Sequence, residues 1–195
     1  MNKWFVLPFL ALGLTSSAFS VTSTFDTGTD SWTTFNIAGG VTWSATGGNP
    51  DGHISAADDQ GGWGYFKAPA SYTAQPAVYG SNFTFDMKHT SSNGTPTLYK
   101  VRVAIEGAGL VLINETVLPT AQWLTYSFTL NESSGWRKFG TINQNYSTGA
   151  PTPTSAEMQA VLGGMTGLYI AADYNDETTP PRDVTYLDNV GLEVV

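Results

Sequence analysis

The most restrictive feature of this sequence is a succession of short segments in which apolar and polar residues alternate. In Ser81 to His89, the residues Phe83, Phe85 and Met87 take one face, and Asn82, Thr84, Asp86 and Lys88 take the other. That two-residue period belongs to a half-buried strand and not to a helix. Leu98 to Glu106 repeats it with Val101, Val103 and Ile105 inward, and Leu124 to Leu130 places Leu124, Tyr126, Phe128 and Leu130 on one side. Further short strands are expected from Ser23, at Phe35–Ile37, Val41–Ser44, His53–Ala56, Trp63–Phe66, Leu110–Asn114, Leu168–Tyr174 and Val184–Val194, separated by Gly, Pro, Asn and Asp turns. Roughly ten closely spaced strands predict an all-β fold, a sandwich or a barrel. One segment departs from the pattern. Thr154 as N-cap, Glu157 three residues on and the Gly163–Gly164 stop predict one short connecting helix over 154–163.

Length and charge narrow the function. The 195 residues suit one domain with a substantial core. Eight Lys and Arg stand against sixteen Asp and Glu, a formal charge of -8. This argues against nucleic acid and anionic membrane as partners, because both demand a basic face. Lys3, an apolar run from Trp4 to Leu14 too short to span a bilayer, and the small residues Ala18 and Ser20 predict a secretory signal peptide over 1–20. The domain is then 21–195, secreted to an extracellular or periplasmic space, with no membrane insertion. With no Cys in the chain, neither disulfides nor thiol catalysis is available.

The densest stretch is Trp43 to Pro69, where Gly47–Gly52 forms a loop, His53–Ala56 a strand, Asp58–Gly62 an acidic turn and Trp63–Phe66 an aromatic strand. Trp43, Trp63, Tyr65, Trp123 and Trp136 are candidates for rings on which a pyranose stacks, with Trp63 first because its glycine neighbours would leave it unshielded. The same rings serve equally as core. Asp51, Asp58 and Asp59 would supply the two facing carboxylates of a glycosidase, but acids in turns lack the apolar surroundings that raise a carboxyl pKa. His53 and His89 fall in no catalytic motif and read as ordinary strand histidines.

These motifs, in order, resemble a known family. F-D-x-G-x-D-x-W at Phe25–Trp32, W-x-A-T-G-G-N-P-x-G at Trp43–Gly52, Ala68-Pro69, Trp123 with Tyr126, Gly135-Trp136-Arg137, the 154–163 helix and Leu187-Asp188-Asn189-Val190 are similar to a laminin IV type A (laminin B) domain in a bacterial-type secreted form. The resemblance implies a jelly roll like that of carbohydrate-binding modules, a calcium ion near the chain ends, and no catalytic residues. A role in a basement-membrane network is not implied, since the Cys-rich modules that flank the animal domains are missing from this sequence.

Asp188 gives the calcium expectation a basis in the residues. Strict alternation puts it on one face with Tyr186 and Val190, and an unpaired buried carboxylate costs several kcal/mol unless it gains a cation, donors or a proton. The expected ligands are Asp26 and Asp188, with Asp30 and its turn and either Asp51 or Asp58. The alternative is that Asp188 caps the backbone N–H groups of the Gly28 turn without a metal. The leading functional reading is a non-catalytic recognition or adhesion module for extracellular glycans or matrix polymers. A self-associating subunit of a surface layer or filament is the second, and a carbohydrate-active hydrolase the third.

Overall fold

A computed structural model of the chain describes residues 20–58, 62–75, 77–91, 97–175 and 183–194. Residues 1–19 of the expected signal peptide and Asp59 of the carboxylate cluster lie outside the described residues.

The alternating segments form two antiparallel sheets. The first has the order β3 (Thr42–Ser44), β4 (His53–Ala57), β12 (Val184–Glu193), β6 (Asn82–Thr90), β9 (Leu124–Thr129), with β1 (Ser20–Ser23) also on β12. The second has the order β10 (Arg137–Phe139), β8 (Leu110–Glu115), β7 (Arg102–Gly107), β11 (Met165–Ala171), β5 (Tyr65–Lys67), β2 (Thr33–Phe35). Together they make the expected jelly-roll sandwich. Ten-residue β12 organises the first sheet, because β4 pairs with its first half and β1 with its last. The first and last strands therefore pair, and the first is Ser20–Ser23, ending at the Ser23 from which a strand is expected. Phe25 has a left-handed φ of 54° and leads into a turn.

Phe83, Phe85, Met87, Ile54, Leu187 and Leu192 from the first sheet meet Phe66, Val103, Ile105, Leu112 and Ile170 from the second, all essentially inaccessible. Each contributes roughly 1.5–3 kcal/mol by leaving water. The helix α2 (Ser155–Gly163) has the expected capping box: Thr154 Oγ1 accepts from Glu157 N, and Glu157 Oε2 accepts from Thr154 N. Lys138 also donates to the Glu157 carboxylate, and these donors hold it down at about 2. Two elements escaped the sequence reading, the four-residue helix α1 (Ala70–Thr73) and the three-residue strand β10. Both are too short to show a period.

Candidate functional sites on the outer faces

The strand registers divide the outward side chains of the two sheets into chemically different sets. On the first sheet they are mostly hydroxyl and amide residues: Asn82, Thr84, Thr125, Ser127 and Ser55. At one end Lys88 sits between two rings, its Nζ 4.8 Å from the Trp123 centroid and 4.6 Å from that of Tyr186. His53 packs against the same two rings, and burial together with Lys88 lowers its pKa.

Asp86 and Asp188 are cross-strand neighbours on this outer face. The register shifts after Asp188, and Asn189 takes a φ of 47°, so the chain bulges and Val190 turns into the core. Strict alternation through Val190 therefore fails at a β-bulge. Asp188 is fully buried nevertheless, because the Gly47–Gly52 loop folds over it. Asn49 N donates to Asp188 Oδ2 at 2.6 Å, Asn189 N donates to Oδ1 at 2.7 Å, and Asn49 Nδ2 and Asn189 Nδ2 donate to Asp86 Oδ2. Glycine is required here, since a Cβ on Gly48 would lie 2.7 Å from Asp188 Oδ2 and one on Gly52 would strike the Phe25 carbonyl. Burial raises the Asp188 pKa, the two N–H donors oppose that rise, and the nearby charges of Asp86 and Asp26 add to it. The carboxylate is thus donor-bound by Asn49 and Asn189, not by the Gly28 turn.

The five expected metal ligands do not gather in one place. Asp26 and Asp188 interact, and Asp51 lies in the covering loop, where its carbonyl accepts from Gly48 N. Asp30 uses Oδ2 to cap Phe25 N at 3.2 Å. Asp58 is at the other end of β4, where it is buried with Asp173 and Asp183, their carboxylate oxygens within 4.8 Å of one another. His89 Nε2 is 3.6 Å from Asp183 Oδ2, which also accepts from Tyr174 N. Asp51 and Asp58 flank a five-residue strand and so stand on the order of 20 Å apart at the strand rise. That is too far for a facing pair of glycosidase carboxylates, which need less than about 10 Å. The sequence reading overlooked Asp86, Asp173 and Asp183. Asp86 lay in plain view among the polar residues of its strand, but only pairing with β12 sets it beside Asp188.

The outer face of the second sheet is aromatic. Phe35, Tyr65 and Tyr169 form a triangle of rings with centroids 6.0–6.4 Å apart. Lys67 Nζ lies 6.0 Å from the Tyr169 centroid, and Tyr169 OH donates to Glu106 Oε2 at 2.9 Å. Beside them the Arg102 guanidinium lies 3.6 Å from the Trp63 ring centroid, with Nε and Nη2 both donating to Glu115 Oε1. Phe35 is 37% exposed, whereas Tyr65 is inaccessible and its hydroxyl pKa is pushed up to about 12 by burial.

Of the rings expected to stack on sugars, Trp63 and Tyr65 stand on this face but are covered. Trp63 is not unshielded by its glycines: a Cβ on Gly64 would collide with Ile37, so glycine lets that side chain approach. Trp136 is core, fully buried against Phe128, with its indole N–H donated to the Thr129 carbonyl. Trp43 is exposed, but on the short edge strand of the other sheet, its N–H held by the Phe25 carbonyl. Phe35 and Tyr169 were missed because neither belongs to a tryptophan-rich motif.

Among the described residues no helix is long and apolar enough to cross a membrane. The sequence profile of the family Laminin B (Domain IV) matches residues 65–195, well over half of the chain. No curated protein matches in sequence. In fold the chain is similar to the L4b domain of human laminin alpha-2, with a TM-score of 0.64 and 13% identity, covering 90% of this chain and 97% of that one. It is also similar to the family 11 carbohydrate-binding module of the cellulosomal cellulase Lic26A-Cel5E of Clostridium thermocellum, with a TM-score of 0.53, 14% identity and 92% and 97% coverage. A structure of the Clostridium thermocellum family 11 module in complex with a β-1,3-1,4-mixed-linked tetrasaccharide matches with a TM-score of 0.52, 14% identity and 91% and 96% coverage.

Proposed function

The chain belongs to the laminin B (domain IV) family, and we propose that it is an extracellular, non-catalytic recognition module that binds glycan chains on the aromatic outer face of the second sheet. The observation that carries this reading is the exposed ring of Phe35, seated on the buried rings of Tyr65 and Tyr169 and bordered by Lys67 and Glu106. Planar rings receive the C–H face of a sugar, and charged or amide groups beside them meet its hydroxyls. The similarly folded module solved with a mixed-linked tetrasaccharide supports a glycan as ligand. Titration with that tetrasaccharide and with a panel of soluble polysaccharides tests the reading. Saturable binding that falls about tenfold in Phe35→Ala, close to 1.4 kcal/mol, is expected; no binding to any glycan would contradict it.

We propose also that calcium is held at the Asp188 end. Asp86 and Asp26 each repel Asp188 beneath a loop whose glycines leave no room for side chains, and a hard divalent cation with oxygen ligands would relieve that repulsion. Asp26 and Asp188 would hold it, and its role is to fix the covering loop to β12. Self-association is favoured by one feature, the six-residue edge strand β9, which among the described residues has a sheet partner only in β6. Light scattering of the purified domain tests that second reading.

A further inference from the structure

We propose that the segment Gly140–Tyr146 is a displaceable strap lying on a concealed sugar subsite floored by Trp63, Tyr65 and Arg102. The inference rests on glycan recognition by this face and adds where the deepest contacts lie and what controls access to them.

The strap touches the floor through oxygens. Tyr65 OH donates to the Ile142 carbonyl at 2.6 Å, Arg102 Nη1 to the Gln144 carbonyl at 3.1 Å, and Trp63 Nε1 to Asn145 Oδ1 at 3.1 Å. Three donors of three different elements thus converge on acceptors spread over four consecutive residues. A loop whose only role is to complete a core buries apolar side chains. Here Ile142 is buried and Tyr146, at the strap's end, is half-buried against Phe139 with its hydroxyl donated to the Gly135 carbonyl, while Thr141, Asn143, Gln144 and Asn145 between and beside them are exposed. The floor, in contrast, is built to stay in place without the strap. Glu115 fixes Arg102 through Nε and Nη2, leaving Nη1 directed at the strap and at Tyr65 OH, and the guanidinium lies flat on Trp63. The strap holds its own shape, with Gln144 Oε1 accepting from Gly140 N and Thr141 N, so that it can lift as a unit.

What the strap offers the floor is what a pyranose also offers: acceptor oxygens for the three donors, and in the buried Ile142 side chain an apolar surface that a C–H face would replace. The concealed subsite is therefore matched to one sugar unit rich in acceptor oxygens, continuous with the exposed Phe35 and Lys67 at the sheet edge. A ligand entering it must first displace the strap, so its apparent affinity is reduced by the fraction of molecules already open.

The test uses the whole secreted domain and the mixed-linked tetrasaccharide, with an agarose oligosaccharide as second probe. Two variants loosen the strap, Ile142→Ala and, at an exposed position, Asn145→Ala. The expected result is at least about tenfold tighter binding in either folded variant. Amide exchange over 141–146 should also rise in the wild type on saturation, while β5 and β7 become better protected. Binding of the wild type with unchanged affinity in both folded variants and unchanged exchange over 141–146 overturns the strap while leaving glycan recognition standing. Absence of binding by wild type and both loosened variants overturns the two together.

Discussion

Each sheet carries a loop folded over part of its outer face, and the two covered places are complementary in chemistry. Under the Gly47–Gly52 loop the floor consists of acceptors, the carboxylates of Asp86 and Asp188, and the cover supplies donors from Asn49, aided by Asn189. Under the Gly140–Tyr146 strap the floor consists of donors, Trp63, Tyr65 and Arg102, and the cover supplies oxygens. Buried negative charge that repels itself calls for a cation and a permanent lid. Donors set among aromatic rings, with the only full charge already paired to Glu115, call for a neutral ligand rich in oxygen. On the proposed reading, the first place stabilises the sandwich and the second recognises a ligand.

The largest effect is expected from breaking the donor floor. Arg102 is 1% exposed and is held by Glu115, so Arg102→Met strands a carboxylate and strips Trp63 of its cover. Removing one partner of a buried pair costs about 3–5 kcal/mol, and chemical denaturation should show a loss of that order. A loss under about 1 kcal/mol, the range of exposed pairs, would show that the floor is not rigid.

Next in size is the acceptor floor. Calcium that binds only the folded state adds about 2.7 kcal/mol at a hundredfold excess over its Kd. The melting temperature of metal-free wild type should climb with millimolar calcium, and that of Asp188→Asn should not. Identical melting of the wild type in EDTA and in calcium would end the calcium proposal.

The same carboxyl sets a pH dependence of definite sign. Its pKa is raised in the folded protein, so the folded state holds the proton more tightly than the unfolded one. Its contribution favours folding in acid and is withdrawn as pH rises from the ordinary value of 3.8 through the raised folded value. Glu157 acts oppositely, since its lowered pKa of about 2 makes its contribution vanish as pH falls from 4.5. Wild type minus Asp188→Asn isolates the first effect: in EDTA the wild type should lose stability relative to the variant as pH rises through that window, and saturating calcium should abolish the trend.

Much of the architecture was legible because alternation reports burial directly. The segments around β6, β7, β8, β9 and β12 follow it, and Thr154 with Glu157 marked α2 by side-chain chemistry that needs no tertiary partner. The sites were less legible, because each depends on something outside its own segment. The bulge at Asn189 moved Val190 to the core, and a loop 139 residues away in sequence buried Asp188. Trp63 and Tyr65 read as candidate platforms in the sequence, yet both are buried and hydrogen-bonded to a segment some eighty residues downstream whose sequence, I-N-Q-N-Y, has no signal of docking. Asp58 looked like a neighbour of Asp51 because proximity in sequence survives a turn but not a strand.

The smallest expected effect, and the sharpest comparison of the faces, comes from surface variants. Phe35→Ala should weaken glycan binding about tenfold, whereas Thr84→Ala and Ser127→Ala on the hydroxyl face should leave it within about twofold; all three should melt within a few degrees of wild type, as surface changes do.

Recognition by the aromatic face is tested most directly by a backbone and indole N–H chemical-shift map recorded during titration with the mixed-linked tetrasaccharide. Shifts are expected to concentrate at Phe35, Lys67, Glu106 and Tyr169, with the Trp63 indole N–H moving as Asn145 releases it. Shifts confined to Thr84, Lys88, Thr125 and Tyr186, or no shifts at saturating ligand, would contradict it.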